Sequence, residues 1–295
     1  MKKKNIVIIG YGKFAKEYIK VINRIKKFNL VFILNNKNKK FFFKNKHNIL
    51  KNISAAIIVT PAKSHYIYAK LFLSKNIPLI IEKPVAINMY QINQLIKISK
   101  NKLVLVNHSD LYSKYFMKIL KIIKEKKIKT NKVKIKFFKY QKFLKNKDSD
   151  PAFEWLPHLV AICLKLNNSD GSYKILSYES KLTRGNIYKK FQLLFSSKNL
   201  KINVFFSNYP NIDTKRQIQL DFNKNDRIIY DDSSENKLIT KKNNKSKVFR
   251  DKSYSTLEEL LNLFYKKIIS KKKINDLYFS KVVMKHVFKL TKKLG

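Results

Sequence analysis

The sequence predicts two domains of the α/β class: an N-terminal, doubly wound parallel sheet, and a C-terminal α+β domain with an open, mainly antiparallel sheet. Three observations predict it. Over the first 110 residues, short and wholly apolar runs alternate with segments of helical period, the pattern of strands buried on both faces and joined by crossover helices. Beyond that point the pattern becomes an apolar–polar alternation, as in Lys132–Phe137, and strand-length segments follow one another directly. The length of 295 residues accommodates two domains of roughly 150 residues each. The boundary is expected near residue 110, giving domains 1–110 and 111–295, with the terminal helices able to pack back on the first.

Residues 5–9 open the first domain as a buried strand. Gly10-Tyr11-Gly12 turns the chain, and Lys13 to Arg24 carries Phe14, Tyr18, Val21 and Ile22 at helical spacing. Leu30 to Leu34 is the second strand. The stretch from Asn35 to Asn52 is polar and lysine-rich around Phe41-Phe42-Phe43, and its pattern assigns no structure. Ile57–Val59 is the third strand, followed by a helix capped by Ser64 and carrying Ile67, Leu71 and Phe72. Pro78–Ile81, a helix over Met89–Ile98, and Leu103–Val106 complete the alternation.

In the second domain a helix with Phe116, Ile119, Leu120 and Ile123 leads into the half-exposed strand Lys132–Phe137. After a loop rich in Lys, Asp and Ser, Glu154-Trp155-Leu156-Pro157-His158 opens a helix running to Leu166. Pro157 is placed in its first turn, where a missing N–H does no harm. Strands are expected at 174–182, 189–196, 200–206, 216–222 and 227–230. The polar segment Ser233–Ser253 reads as a surface loop or hairpin. Helices over Thr256–Ile269 and Asp276–Leu294 close the chain, the first with Leu257, Leu260, Leu261, Phe264 and Ile268 on one face.

Gly10-x-Gly12-x-x-Ala15 lies on the first strand–turn–helix. Gly10 permits the tight turn, Gly12 lets the backbone approach a pyrophosphate, and Ala15 is small enough for close packing of helix on strand. The N–H groups and dipole of the helix start, including those of Tyr11, Lys13 and Phe14, then hold phosphates. An acidic residue after the second strand would bind the ribose hydroxyls of NAD and repel a 2′-phosphate. Here stands Asn35-Asn36-Lys37; Asn35 can hydrogen-bond a ribose and carries no repelling charge, and Lys37, Lys39 or Lys40 can pair with a phosphate, so the cofactor is NAD or NADP, with the balance tilted to NADP. Thr60 and Pro61 line the cofactor's path at the sheet edge, with His65 one turn into the next helix. Glu82-Lys83-Pro84 ends an apolar strand, so that Lys83 stands beside a nicotinamide and Glu82 beside the cofactor. Glu154 and His158 are four residues apart on one helical face, a spacing that lets a carboxylate orient an imidazole as proton acceptor or donor.

Lys and Arg total 65 against 19 Asp and Glu, a formal charge of +46. Only Arg24, Arg184, Arg216, Arg227 and Arg250 are arginines, and the lysines are spread along the whole chain. With Asn, Ile, Phe and Tyr abundant, and only 5 Gly and 6 Pro, this is the residue usage of an AT-rich genome. A specific nucleic-acid reader would lean on arginine, so no specific nucleic-acid partner is expected, although the charge can steer anionic substrates such as nucleotide sugars. Cys163, flanked by Ile162 and Leu164, is the single cysteine and excludes a disulfide framework and dithiol chemistry. No metal site is expected. Met1-Lys2-Lys3-Lys4 precedes an apolar run too short for a signal peptide, no segment approaches the ~18–20 apolar residues of a membrane span, and a cytoplasmic location is expected.

The GxGxxA start, Thr60-Pro61 with His65, Glu82-Lys83-Pro84, and a carboxylate-x-x-x-His helix together resemble the Gfo/Idh/MocA family, named for glucose–fructose oxidoreductase and inositol dehydrogenase. The resemblance implies an N-terminal Rossmann domain, a C-terminal open sheet that often serves as an oligomer interface, and hydride transfer between nicotinamide C4 and a sugar-like carbon. It implies that Lys83 is the essential lysine, that His158 is the catalytic histidine, and that Glu154 stands where Asp is usual. Leu156-Pro157 replaces a Gly common before the histidine, and Ala161 stands at a position often acidic, so the pocket departs from that of a polyol dehydrogenase. The Trp-x-Pro-His pattern is similar to short members associated with surface-polysaccharide and sugar-nucleotide metabolism. The expected protein is a homo-oligomer, dimer or tetramer, acting on a sugar or sugar nucleotide. The alternatives are a same-fold reductase of an imine or tetrapyrrole-like substrate, and a cofactor-binding regulatory protein without turnover.

Overall fold

The computed structural model describes residues 3–125, 132–143, 150–168, 171–197, 200–222, 226–243 and 245–294. It divides into two compact units, Met1–Ser109 with Ser255–Lys285, and Asp110–Tyr254 with His286–Gly295. Beyond the break near residue 110 the chain changes unit twice more: residues 255–285 return to the first unit and residues 286–295 to the second.

The first unit alternates β1 (Lys4–Ile9), α1 (Lys13–Ile25), β2 (Phe28–Leu34), α2 (Lys39–Lys51), β3 (Ala55–Ile58), α3 (Ala62–Ser74), β4 (Leu79–Ile81), α4 (Met89–Ile98) and β5 (Val104–Val106). The strands form one sheet in the order β2-β1-β3-β4-β5, and every pairing is parallel. The winding reverses between β1 and β3, which is where an open α/β sheet leaves a crevice beyond its strand ends. Val7, Ile9, Ala56, Ile58, Leu79, Ile81, Val104 and Val106 from the strands pack with Phe42, Phe72, Leu73 and Leu95 from the helices as one core. The segment to which the sequence pattern assigned nothing is α2. It buries only Phe42 and Leu50, too little for a legible helical stripe. The helix expected to be capped by Ser64 begins earlier, at Ala62; Ser64 Oγ donates to the Pro61 carbonyl at 2.9 Å from inside the first turn.

The second unit begins with a 3₁₀ turn at Ser109–Tyr112, then α5 (Lys114–Glu125), β6 (Lys132–Phe138), α6 (Pro151–Asn167), β7 (Ser172–Thr183), β8 (Asn186–Ser196), β9 (Lys201–Ser207), β10 (Lys215–Asp221), β11 (Arg227–Asp231), β12 (Asn236–Lys242) and β13 (Lys245–Arg250). These strands form one eight-stranded sheet in the order β13-β12-β11-β10-β6-β9-β8-β7. Only β6 and β9 pair in parallel; the other neighbours are antiparallel. Val133, Ile135 and Phe137 of β6 are buried, facing one side as the alternation requires. The polar stretch after residue 233 is the hairpin β12–β13, paired into this sheet by β11.

Helix α6 corrects the sequence reading. It starts at Pro151, capped by Asp150, whose Oδ1 accepts from the Ala152 N–H at 2.8 Å. Such a cap is worth about 1 kcal/mol, and Pro at the first helical position sacrifices no hydrogen bond. Pro157 is therefore interior. Asp150 also anchors the helix through Oδ2, 2.6 Å from the buried Lys189 ammonium of β8. Leu156 through Leu164 of this helix are buried, and Cys163 lies among them as packing, its thiol pushed up to about 12 by burial.

Two helices complete the chain: α7 (Thr256–Ile269) and α8 (Leu277–Lys293). Within the first unit, α7 meets α1 and β2. Arg24 pairs with Glu258, Lys27 Nζ donates to Asn262 Oδ1 at 2.6 Å, and Phe28 packs on Phe264 and Tyr265. Residues 274–276 then run beside β5: Val104 N–H donates to the Ile274 carbonyl at 2.7 Å and Asp276 N–H to the Val104 carbonyl at 2.9 Å. No helix among the described residues is long and apolar enough to cross a membrane.

Candidate active site

A cleft of about 710 Å³ opens at the carboxyl ends of β1, β2 and β3, at the winding reversal, lined by residues 10–14, 34–37, 59–61 and Tyr68. Gly10, Tyr11, Gly12, Lys13, Phe14, Asn35, Thr60 and Pro61, expected to bind the cofactor, all line it. The local backbone explains the glycines. Gly10 sits at φ +116°, and a Cβ there would fall 2.7 Å from the Val59 carbonyl oxygen. A Cβ on Gly12 would meet no atom within 4 Å, so it would project into open space. Helix α1 begins at this point with no side-chain cap and no acidic residue in its first turn. Its first N–H groups and its dipole therefore favour an anion. None of the lining residues is acidic. Thr60 Oγ1 is buried and has no hydrogen-bond partner among the described residues, as fits a hydroxyl reserved for a bound group. The residues present fit a dinucleotide.

Two expected residues lie behind the cleft instead. His65 is buried, with Nε2 2.6 Å from the Thr60 carbonyl and Nδ1 2.8 Å from the Pro84 carbonyl. It spans the segments that follow β3 and β4; a neutral ring donates to only one of two acceptors at a time. Glu82, expected beside the cofactor, turns into the interior. Its Oε1 accepts from Tyr18 Oη at 2.8 Å and from Asn107 Nδ2 at 2.5 Å. Asn107 Nδ2 also approaches Tyr18 Oη at 3.1 Å. One carboxylate thus ties α1 to the ends of β4 and β5. Burial pushes it up to about 7, although Asn107, Tyr18 and the charge of Lys83 act in the opposite direction. Lys83 itself is half-buried where β4 ends, ahead of buried Pro84 and Val85.

In the second unit, His158 lies one turn after Glu154 on α6. The orienting carboxylate in the structure is Asp110: its Oδ2 is 3.1 Å from His158 Nδ1. The role expected of Glu154 therefore falls to a residue 48 positions away in sequence. Asp110 Oδ1 accepts from Arg216 Nη2 at 2.7 Å, and Arg216 also approaches Asp232 at 3.5 Å. Burial alone would raise the Asp110 carboxyl; the Arg216 guanidinium and the His158 hydrogen bond prevail and hold it well below the usual carboxylate range. The imidazole is flanked by Trp155 and Phe137, with ring centroids at 5.7 and 6.4 Å. Arg216 lies 5.2 Å over the Phe137 ring. An imidazole whose Nδ1–H is held by an ionised carboxylate carries its basic lone pair at Nε2.

Sequence reasoning missed Asp110, Arg216, Asn107 and Tyr18. The usable signal was scarcity. With 19 acidic residues against 65 basic ones, an aspartate just after a buried strand stands out, as does one of five arginines in a strand otherwise served by lysine.

Residues 4–108 match the model of an oxidoreductase family with an NAD-binding Rossmann fold. No curated protein matches the chain in sequence. Solved structures share its fold over nearly the whole length. A dehydrogenase from Clostridium difficile is 17% identical, with TM-score 0.78, covering 99% of this chain and 100% of its own. The UDP-N-acetylglucosamine 3-dehydrogenase of Acidithiobacillus ferrooxidans is 14% identical, with TM-score 0.76 and coverage of 98% and 97%. A variant 3-ketoreductase from Actinomadura kijaniata, solved with TDP-benzene and NADP, is 10% identical, with TM-score 0.76 and coverage of 98% and 96%. At such identities the likeness speaks for the fold.

Proposed function

We propose, from the premise that residues 4–108 are the NAD-binding Rossmann domain of a Gfo/Idh/MocA oxidoreductase, that the chain is an NAD(P)-dependent dehydrogenase or reductase of a carbohydrate, most specifically of a sugar nucleotide. The observation that carries the reading is in the first unit: the uncapped phosphate turn at Gly10–Gly12 and Lys83 both lie at the carboxyl edge of one parallel sheet. When bound, the nicotinamide supplies the carbon that takes or gives hydride. His158 takes the substrate's hydroxyl proton at Nε2 in oxidation and returns it in reduction. Asp110 fixes the tautomer through Nδ1 and stabilises the imidazolium, and Arg216 keeps Asp110 ionised. Lys83 donates an N–H to the substrate oxygen and offsets negative charge developing there. The sugar-nucleotide class is supported by the chain's charge of +46, which attracts an anionic diphosphate. It is supported as well by two proteins of this fold, one a UDP-sugar dehydrogenase and one a 3-ketoreductase solved with TDP-benzene. Assembly as a dimer or tetramer, a cytoplasmic location and a place in surface-polysaccharide metabolism belong to the same proposal.

The test is turnover of NAD(P)(H) against a panel of UDP- and TDP-sugars. Lys83→Met and His158→Ala are each expected to lower kcat by at least about 100-fold, while coenzyme titration stays close to the parent value. Near-normal turnover in both variants refutes the assignment.

A further inference from the structure

We propose that the rim of the cleft at the end of β2 selects a 2′-phosphorylated dinucleotide, NADP(H) over NAD(H), and that Asn35 sets the choice; the inference rests on reading the cleft as a dinucleotide site. An acceptor at this position would take hydrogen bonds from ribose hydroxyls, as a carboxylate does in NAD-selective sites. Asn35 has one side-chain acceptor, and the turn uses it. Oδ1 accepts from the Lys37 N–H at 2.9 Å and from the Asn38 N–H at 3.2 Å. Because two main-chain donors point at it, the network fixes which end of the amide is oxygen. Asn38 closes the turn from the other side: its Oδ1 accepts from the Asn35 N–H at 2.8 Å, and its Nδ2 donates to the Ile33 carbonyl at 2.8 Å. The oxygens of both Asn35 and Asn38 are thereby spent on holding the backbone.

What Asn35 retains for a ligand is Nδ2, a donor. Its neighbour Lys37, exposed and lining the same cleft, adds an ammonium group. A phosphate presents only acceptors and a double negative charge, so donors and a cation suit it. A ribose 2′-hydroxyl has a proton to give and finds the Asn35 oxygen already occupied. No carboxylate lines the cleft to repel a phosphate.

Asn35→Asp is a discriminating variant. The new carboxylate keeps an oxygen for the Lys37 and Asn38 N–H groups, so the turn survives, and it replaces the NH2 with a second, charged acceptor. Binding is read by fluorescence titration of the full chain with NADPH and NADH, and by displacement with 2′,5′-ADP against 5′-AMP. The parent is expected to bind NADPH at least about tenfold more tightly than NADH, and 2′,5′-ADP ahead of 5′-AMP; Asn35→Asp should cut the NADPH:NADH ratio by at least about tenfold with an unchanged Tm. Should that variant fold poorly, Lys37→Gln, on the exposed side of the turn, should lower the same ratio. Binding of NADH at parity with NADPH by the parent, or a ratio unmoved in the folded variants, overturns the inference and leaves the dinucleotide reading standing. Failure of both coenzymes to bind overturns the two together.

Discussion

Glu82 shows how much one side chain decides here. Burial raises it from an ordinary 4.5 to about 7 in the fold. A carboxyl that holds its proton more tightly folded than unfolded makes stability decline as pH rises through that interval, because ionisation is easier in the unfolded chain. At about 1.4 kcal/mol per unit, the decline is on the order of 3 kcal/mol. Glu82→Gln keeps an oxygen for Tyr18 and Asn107 and cannot ionise. Urea denaturation at pH 5 and pH 8 should therefore show the variant gaining on the parent at the higher pH; parallel profiles would mean that Glu82 ionises normally in the fold. The sequence offered Glu82 only as a neighbour of Lys83, since nothing in the spacing of Tyr18, Glu82 and Asn107 announces that they meet. Asp110 was hidden for the same reason. Its partner His158 had a carboxylate four residues away, and local spacing outweighed a contact made across the fold.

At the level of elements, the strand–turn–helix at β1–α1 was legible, because a glycine turn between a buried strand and an amphipathic helix is a local pattern. Its two glycines separate folding from binding. Gly10→Ala places a methyl group 2.7 Å from the Val59 carbonyl at a left-handed φ of +116°. It should cost at least about 2 kcal/mol, seen as a lower Tm, along with coenzyme affinity. Gly12→Ala finds room for its methyl and should leave Tm nearly unchanged while coenzyme affinity falls at least about tenfold. Equal losses of Tm in the two variants would contradict this division. Helix α2 was illegible, with two buried side chains in thirteen residues. The start of α6 was misplaced because Pro157 drew attention from Asp150-Pro151. An interior proline forfeits a helical hydrogen bond and is disfavoured by about 3 kcal/mol; here it is carried by a helix buried along most of its length.

Over the whole molecule, a formal charge of +46 on 295 residues opposes compaction, and screening relieves the repulsion. Tm should therefore rise when NaCl goes from about 0.05 to 0.5 M, over which the screening length shortens from roughly 14 to 4 Å; a flat or falling Tm would show that the lysines are already compensated in the fold. The hydrophobic period changes near residue 110, where the first unit gives way to the second. The sequence lets the terminal helices pack back on the first unit, but helical period does not say which sheet a helix will cover, so it could not assign the return of residues 255–285 there. That return has a consequence for synthesis. A ribosome delivers β1 to β5 early, yet Arg24, Lys27 and Val104 wait for Glu258, Asn262 and Ile274. The first sheet is thus made well before the residues that close its contacts, with residues 110–254 of the second unit translated in between.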